Sequence, residues 1–322
     1  MEPRPHVLMI SGAMEAGRFP KPDGVDVITL PALAKLERSR YVSRSLGVAI
    51  EDMIALRSQT IRAAAASFGP DVFVVDNVPR GVWVYGDPSV VELGVEYDFS
   101  NDVRRKLHYV GYLDRRPMTD LDATSGPSRP ARSPLVALPG RPFVLCLVGG
   151  GEDGGRLADA FTRVSPDRCG GLARVILLGP FMPEVVRAEL HRRASLDRSL
   201  TILDFADDPT VLIAEARAVI SMGGHNSISE ILSYEKPALI VPRVVPRREQ
   251  WIRAHRLAGR GVVDVCEPEE LSPERLEEWI EKGSSRRPTG ASRVDMGGIH
   301  RLRALFRGVA DRPSRDSRGS RT

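Results

Sequence analysis

The stretch Ser221-Met-Gly-Gly-His-Asn-Ser-Ile-Ser-Glu230 gathers residue types that can hold a phosphate group. Glycines let the backbone approach a ligand closely, and the free N–H groups of a first helical turn bind anions. A diphosphate can therefore sit against Gly223, Gly224, His225, Asn226 and Ser227. Glu230, one turn further on, can accept hydrogen bonds from a ribose diol. The same letters also read as a plain capping box, Ser227-Ile-Ser-Glu230, in which Glu230 satisfies backbone donors at a helix start. Local pattern leaves both readings open.

Three further clusters carry polar or permissive groups. In Pro246-Arg-Arg-Glu-Gln250 the carboxylate of Glu249 and the amide of Gln250 lie side by side and can bind adjacent sugar hydroxyls. A solvated helix start is the alternative. Gly149, Gly150 and Gly151 open a glycine-rich stretch ending at Gly155 that invites phosphate or sugar contacts. It lacks the Lys-Ser/Thr of a P-loop and the spacing of a dinucleotide fingerprint. Phe205 and Ala206, in Phe205-Ala-Asp-Asp208, can flank a base, with an ordinary loop as the equal alternative.

The elements that would position these clusters alternate between strand and helix. Phe143–Val148 is a continuous apolar run, as a parallel strand covered on both faces requires. Further strands are expected at Ala173–Leu178, Leu200–Asp204, Ala218–Ser221, Ala238–Val241 and Val262–Val265. Helices are expected at Leu157–Val164, Glu184–His191, Pro209–Ala216, Ser227–Tyr234, Gln250–Ala258 and Pro273–Lys282. Such alternation predicts a doubly wound parallel sheet, whose ligands bind beyond the carboxyl ends of the strands. The glycine clusters fall at those ends.

The amino-terminal half is less regular. Val7–Ile10, Val25–Leu30, Asp71–Asp76 and Val82–Tyr85 read as strands and Leu46–Phe68 as a long helix. The interval between Asp76 and Val82 is shorter than the roughly dozen residues of a parallel crossover. Either the pair is an antiparallel hairpin or a helix-bearing segment is absent, and the second is the expectation. Residues 115–140, rich in Pro, Ser, Arg and Gly, have the composition of a linker, because they bury too little apolar surface to offset their ordering entropy. The expected organisation is an amino-terminal domain over 1–114, a carboxyl-terminal domain over 141–310, and a disordered tail over 311–322.

Composition narrows the classes. The 322 residues carry 46 Lys+Arg against 42 Asp+Glu, a formal charge of +4, with 42% hydrophobic and 27% charged residues. That is the balance of a soluble globular chain, and no apolar run approaches the roughly 20 residues of a membrane span. The start lacks the pattern of a secretory signal. Cys146, Cys169 and Cys266 are odd in number, far apart and without metal-ligand spacing. They are expected to be reduced thiols, two of them in the core, in a cytoplasmic protein. No nucleic-acid signature accompanies the modest basic balance.

Taken in order, Leu147-Val-Gly-Gly-Gly151, Ser221-Met-Gly-Gly-His-Asn-Ser227 and the run Lys236–Gln250 resemble the carboxyl-terminal domain of the MurG-like glycosyltransferases, those of glycosyltransferase family 28. This superfamily includes the peptidoglycan N-acetylglucosaminyltransferase, and the nearest resemblance is to an uncharacterised bacterial branch of it. The likeness covers Arg141 to about Trp279 and extends to Val82-Trp-Val-Tyr-Gly-Asp-Pro88 and Tyr109-Val-Gly-Tyr-Leu113.

The resemblance implies an α/β GT-B fold of two Rossmann-like domains. It also implies inverting, metal-independent transfer from a nucleoside-diphosphate sugar, UDP-linked, to a hydroxyl acceptor. Glu230 then holds the ribose, the Gly223–Ser227 turn the diphosphate, Glu249 and Gln250 the donor sugar, and Phe205 and Ala206 the base. No cofactor beyond the nucleotide sugar is implied. A lipid-linked acceptor would bring peripheral contact with a membrane.

The family opens with a strand and a glycine-rich loop ending in histidine near the reacting centre. That unit is not visible here, and His6 precedes its strand, so the amino-terminal domain is expected to be abbreviated and the catalytic base is unassigned. Two rival readings follow: a nucleotide-sugar-binding protein or glycosyltransferase remnant without activity, and a nucleotide-sugar 2-epimerase, for which no catalytic carboxylate pair is apparent.

Overall fold

The computed structural model describes residues 6–17, 21–35, 41–69, 82–116, 138–206, 208–245, 248–286 and 294–310. The chain divides into two compact units, one of Met1–Asn77 with Val309–Thr322 and one of Val78–Gly308. In the first unit, β1 (Val7–Ser11) and β2 (Val25–Thr29) pair in parallel, Val7 opposite Val25. A short antiparallel pair follows, β3 (Leu33–Lys35) with β4 (Tyr41–Ser43). Helix α1 (Ile50–Phe68) starts four residues later than the apolar pattern suggests, because Gly47 at φ +66° turns the chain first. It ends at Gly69 in the left-handed conformation, whose N–H closes on the Ala65 carbonyl, a common helix stop. The expected strand Asp71–Asp76 lies outside the described residues, as do 117–137 and the tail 311–322.

The second unit begins with β5 (Val82–Tyr85). Its partner is β6 (Leu107–Gly111), in parallel, and the connection carries the short helices α2 (Leu93–Glu96) and α3 (Asn101–Arg104). This connection is long enough for a parallel crossover.

Beyond 138 the chain alternates as the apolar runs predict. In order come β7 (Phe143–Leu147), α4 (Gly155–Thr162), β8 (Ala173–Leu177), α5 (Glu184–Ser195), β9 (Leu200–Leu203), α6 (Thr210–Glu215) and β10 (Ala218–Ser221). They are followed by α7 (His225–Ser233), β11 (Ala238–Ile240), α8 (Glu249–Ala258), β12 (Asp264–Val265), α9 (Pro273–Lys282) and α10 (Gly298–Ala310). The six strands form one parallel sheet in the order β12-β11-β10-β7-β8-β9. Every residue of β7 is buried, and successive side chains alternate between two cores. Phe143, Leu145 and Leu147 pack with Val219, Ile228 and Leu257, whereas Val144 and Cys146 pack with Phe161, Ile220 and Trp279. Burying such side chains contributes about 1.5–3 kcal/mol each, and covering both faces is why the run shows no polar alternation. All three cysteines are buried and free.

This strand order sets the site. From β7 the chain winds outward through β8 to β9, then returns to β10 on the other flank and winds outward again. The order reverses between β7 and β10, where a doubly wound sheet opens a crevice beyond its strand ends. The loops leaving β7 and β10 are the two glycine clusters.

The units do not follow the linker expected at 115–140. Residues 82–116 pack with the large sheet, because long-range hydrogen bonds fasten them there. The Asp295 N–H donates to buried Asp87 (2.9 Å), the Tyr112 N–H to the Asp295 carbonyl (2.7 Å), and Arg256 to the Val90 carbonyl (3.1 Å). A Pro- and Ser-rich stretch marks little core of its own, which is a different property from a domain boundary. No helix among the described residues is long and apolar enough to cross a membrane.

Candidate functional site at the sheet switch point

Strand β10 ends at Ser221, whose buried hydroxyl accepts the Gly223 N–H at 3.2 Å and bends the chain out of the sheet. Gly223 then takes φ +75°, and a Cβ there would lie 2.6 Å from Ile240 Cγ2. Both the backbone angle and the space demand glycine. Gly224 is the N-cap of α7 and borders open space, with no atom within 4 Å of where a Cβ would stand.

Helix α7 begins at His225, two residues earlier than the pattern Ser227–Tyr234 suggests, because the cap is a glycine without a side-chain signal. The first intrahelical bond is donated by Ile228 to the Gly224 carbonyl (2.9 Å). The N–H groups of His225, Asn226 and Ser227 therefore have no intrahelical acceptor and carry the positive end of the helix dipole. The N-cap residue, a glycine, supplies no side-chain cap. The capping-box reading is thus not what the structure adopts: Ser227 lies inside the helix, and the Glu230 carboxylate is engaged elsewhere.

Glu230 is only 4% exposed. Its Oε1 accepts from Arg115 Nη1 at 3.0 Å. Burial pushes its pKa above the ordinary carboxylate value, and nearby Asp208 adds to this, while the charge and hydrogen bond of Arg115 oppose it. Arg115 follows β6, and its own N–H donates to Ser233 Oγ of α7 (3.2 Å).

The ring of His225 stacks on Tyr112, with centroids 5.5 Å apart and planes at 14°. Its Nε2 is buried without a hydrogen-bond partner among the described residues. Burial, and then the positive charge of Arg253, lower its pKa from 6.5 to about 4. The side chain is neutral at pH 7, so it brings no charge to an anion and can offer only its backbone N–H and one ring N–H.

Helix α8 opens with Glu249 and Gln250 as its first residues. Glu249 Oε1 is paired with Arg253 Nη2 one turn on, and Gln250 Oε1 accepts the Arg243 N–H at 3.1 Å. Two arginines connect these residues to the glycine turns. Arg253 also donates to the Gly223 carbonyl (3.2 Å), and Arg243 is ion-paired with Asp153 beyond Gly151. The turn, the start of α8 and the first glycine loop are thereby linked into one hydrogen-bonded unit.

Gly149 and Gly151 adopt φ of +65° and +94°. A Cβ on Gly151 would overlap the Leu178 carbonyl oxygen, and the Gly150 carbonyl accepts the Phe181 N–H at 2.8 Å. Packing against the turn after β8 is enough to require glycine at 151. Phe205 is exposed and Ala206 packs at the edge of the core, beyond β9; the Asp208 carboxylate accepts the Thr210 N–H (3.0 Å) at the start of α6.

Sequence reasoning missed Tyr112, Arg115, Arg243 and Arg253. Arg253 alone left a local signal, the i,i+4 spacing from Glu249 on a helix. A cavity of about 530 Å³, lined by Arg156, Val185, Glu189 and Arg193 among others, involves none of these residues. Among the described residues no group of three or more His, Cys, Asp or Glu side chains could hold a metal ion.

Residues 144–300 match the family model described as the glycosyltransferase family 28 C-terminal domain. The UDP-N-acetylglucosamine–N-acetylmuramyl-(pentapeptide) pyrophosphoryl-undecaprenol N-acetylglucosamine transferase of Rhizobium etli is 32% identical over 164 residues, covering 48% of this chain and 43% of that protein. An uncharacterised glycosyltransferase of Methanopyrus kandleri is 33% identical over 110 residues, covering 34% of this chain and 31% of its own length. The match spans less than half the length of either relative. The crystal structure of MurG from Acinetobacter baumannii aligns over 95% of this chain and 100% of its own, at a TM-score of 0.43 and 13% identity, a likeness too slight to argue from.

Proposed function

We propose that residues 144–300, which match the glycosyltransferase family 28 C-terminal domain, bind a nucleoside-diphosphate sugar, and that the protein transfers the sugar to a hydroxyl acceptor. The observation that carries this reading is the turn itself. Three N–H groups at His225, Asn226 and Ser227 stand without intrahelical acceptors, one turn before a buried carboxylate, at the switch point of a parallel sheet.

In this reading the diphosphate sits on the Gly223–Ser227 turn and the ribose diol donates to Glu230. Arg115 either shares that carboxylate or yields it. Glu249 and Gln250 meet the sugar, and Phe205 and Ala206 border the base. Transfer forms a bond from the acceptor oxygen to the anomeric carbon and breaks the bond from that carbon to the diphosphate. The electron pair leaves on the diphosphate, where the helix amides stabilise the developing charge without a metal ion. The acceptor proton passes to a general base. In-line displacement from the opposite face inverts the anomeric centre.

UDP is the expected nucleotide, since the Rhizobium relative is named for a UDP-linked donor. The same name gives a polyprenyl-diphosphate acceptor, and an acceptor of that kind would place the protein peripherally at a membrane surface. Isothermal titration with UDP and UDP-N-acetylglucosamine tests the donor assignment. Wild type should bind both, and Glu230→Ala should bind UDP at least about tenfold more weakly, the loss expected for hydrogen bonds to a charged group. Absence of UDP binding, or binding indifferent to Glu230→Ala, would overturn it. Release of UDP from UDP-N-acetylglucosamine then separates an active transferase from a protein that only binds.

A further inference from the structure

We infer that Arg253 is a positioning residue of the donor site, locking the diphosphate turn and the Glu249 carboxylate into one rigid unit. This rests on the reading of Gly223–Ser227 as the diphosphate site. Arg253 lies on α8 and is only 4% exposed. Besides a hydrogen bond with the Tyr112 side chain, its guanidinium joins the turn before α7 to the start of α8. Nη1 donates to the Gly223 carbonyl (3.2 Å), and Nη2 is ion-paired with Glu249 Oε1.

The first contact matters because of the peptide geometry. In a planar trans peptide the C=O of one residue and the N–H of the next point in opposite directions. Holding the Gly223 carbonyl against a buried guanidinium therefore turns the Gly224 N–H away from it. Gly224 borders open space and caps α7. The arginine thus sets the orientation of the peptide that leads into the anion-binding turn. Gly223 at φ +75° has no side chain to do this for itself.

The second contact places Glu249. A carboxylate meant for sugar hydroxyls gains from being held in one rotamer, and the i,i+4 pair supplies that restraint. Burying a guanidinium is costly unless it is fully engaged. An ion pair serving only helix α8 has no need to lie beneath a turn of another element.

The charge is also felt by the two rings over the turn. Tyr112 is buried, and its phenol is raised to about 12 by burial, with Arg253 opposing. The His225 imidazole is lowered by burial and then by Arg253. The groups facing the guanidinium thus come from the end of β6 (Tyr112), from the turn (Gly223 and His225) and from α8 (Glu249).

The test compares ligands that differ only in phosphate. Uridine probes the base and ribose contacts, UDP adds the diphosphate, and UDP-N-acetylglucosamine adds the sugar. Affinities are measured by calorimetry, or by NMR titration for uridine, on the full chain and on Arg253→Met, Arg253→Lys and Glu249→Gln, each with a thermal melt. Arg253→Met should lower the ratio of UDP to uridine affinity by about tenfold. Arg253→Lys, which keeps the charge but makes one contact at a time, should lower it less.

Glu249→Gln should leave that ratio near the wild-type value and weaken UDP-N-acetylglucosamine relative to UDP. If Arg253→Met does not fold, the Arg253→Lys ratio decides. A ratio unchanged in the folded Arg253 variants, or equal losses for uridine and UDP, overturns the inference and leaves Arg253 a packing residue. Wild type that binds uridine no more weakly than UDP refutes instead the diphosphate reading beneath it.

Discussion

Replacing Gly223 by alanine perturbs the turn at its narrowest point. The residue sits at φ +75°, and a left-handed conformation costs an L-residue with a Cβ about 1–2 kcal/mol. The new methyl carbon would also stand 2.6 Å from Cγ2 of Ile240, which is fully buried in β11 and cannot swing aside into solvent. Overpacking of this kind adds about 1–3 kcal/mol. Together the two effects predict a loss of about 2–5 kcal/mol in stability. Gly224→Ala is the internal control, because that glycine has φ −54° and nothing within 4 Å of a Cβ. Its cost should stay near that of a less favourable N-cap residue, under about 1 kcal/mol. Urea unfolding of both variants beside wild type, followed by far-UV circular dichroism, measures the difference. Equal losses at the two positions, or a loss below about 1 kcal/mol for Gly223→Ala, would refute the strain and contact reasoning.

The remaining predictions concern charge and protonation. His225 should remain neutral at pH 7 and titrate near 4, as followed by the imidazole shifts in NMR. Its folded pKa lies below the ordinary 6.5, so the unfolded chain takes up the proton first; this group should cost stability as pH falls from about 6.5 towards about 4. A midpoint near 6.5 in the folded protein would contradict the burial of that ring. Arg115→Ala removes the cation that offsets the burial of Glu230, so the carboxyl pKa should rise further. UDP affinity in this variant should then fall more steeply than in wild type as pH is lowered and the carboxylate takes up its proton, measured by calorimetry. Parallel pH profiles would dissociate Arg115 from the nucleotide site.

The sheet was legible because its strands are covered on both faces. Phe143–Val148 is an unbroken apolar run for that reason and Ala218–Ser221 is polar only at its last residue, and their observed ends differ by at most one residue. At the sheet edge the run Val262–Val265 overstates the strand, since only Asp264 and Val265 pair with β11. Glycine positions were legible as positions of freedom but not in their causes. Gly223 is required by its left-handed backbone and by Ile240 beside it, whereas Gly151 is required by the carbonyl of Leu178 packed against it.

Helix α7 was misplaced by two residues because Ser227-Ile-Ser-Glu230 imitates a capping box that a glycine cap makes unnecessary. Arg115 lay within a stretch whose composition marks a linker, and only the fold brings it to Glu230, across 115 positions of sequence. The docking of 82–116 on the large sheet rests on contacts such as that of Asp87 with the Asp295 N–H, 208 positions apart, for which local pattern carries no signal.

The proposed diphosphate site is the amino-terminal turn of α7. The most direct measurement is a titration of the isotope-labelled protein with UDP, following each backbone amide by two-dimensional NMR. The largest shifts should fall on the amides of Gly224, His225, Asn226 and Ser227, with those around Glu230 next, and inorganic pyrophosphate should move the turn without the latter group. Shifts centred instead on the groove lined by Arg156, Val185, Glu189 and Arg193, or none at saturating UDP, would contradict it.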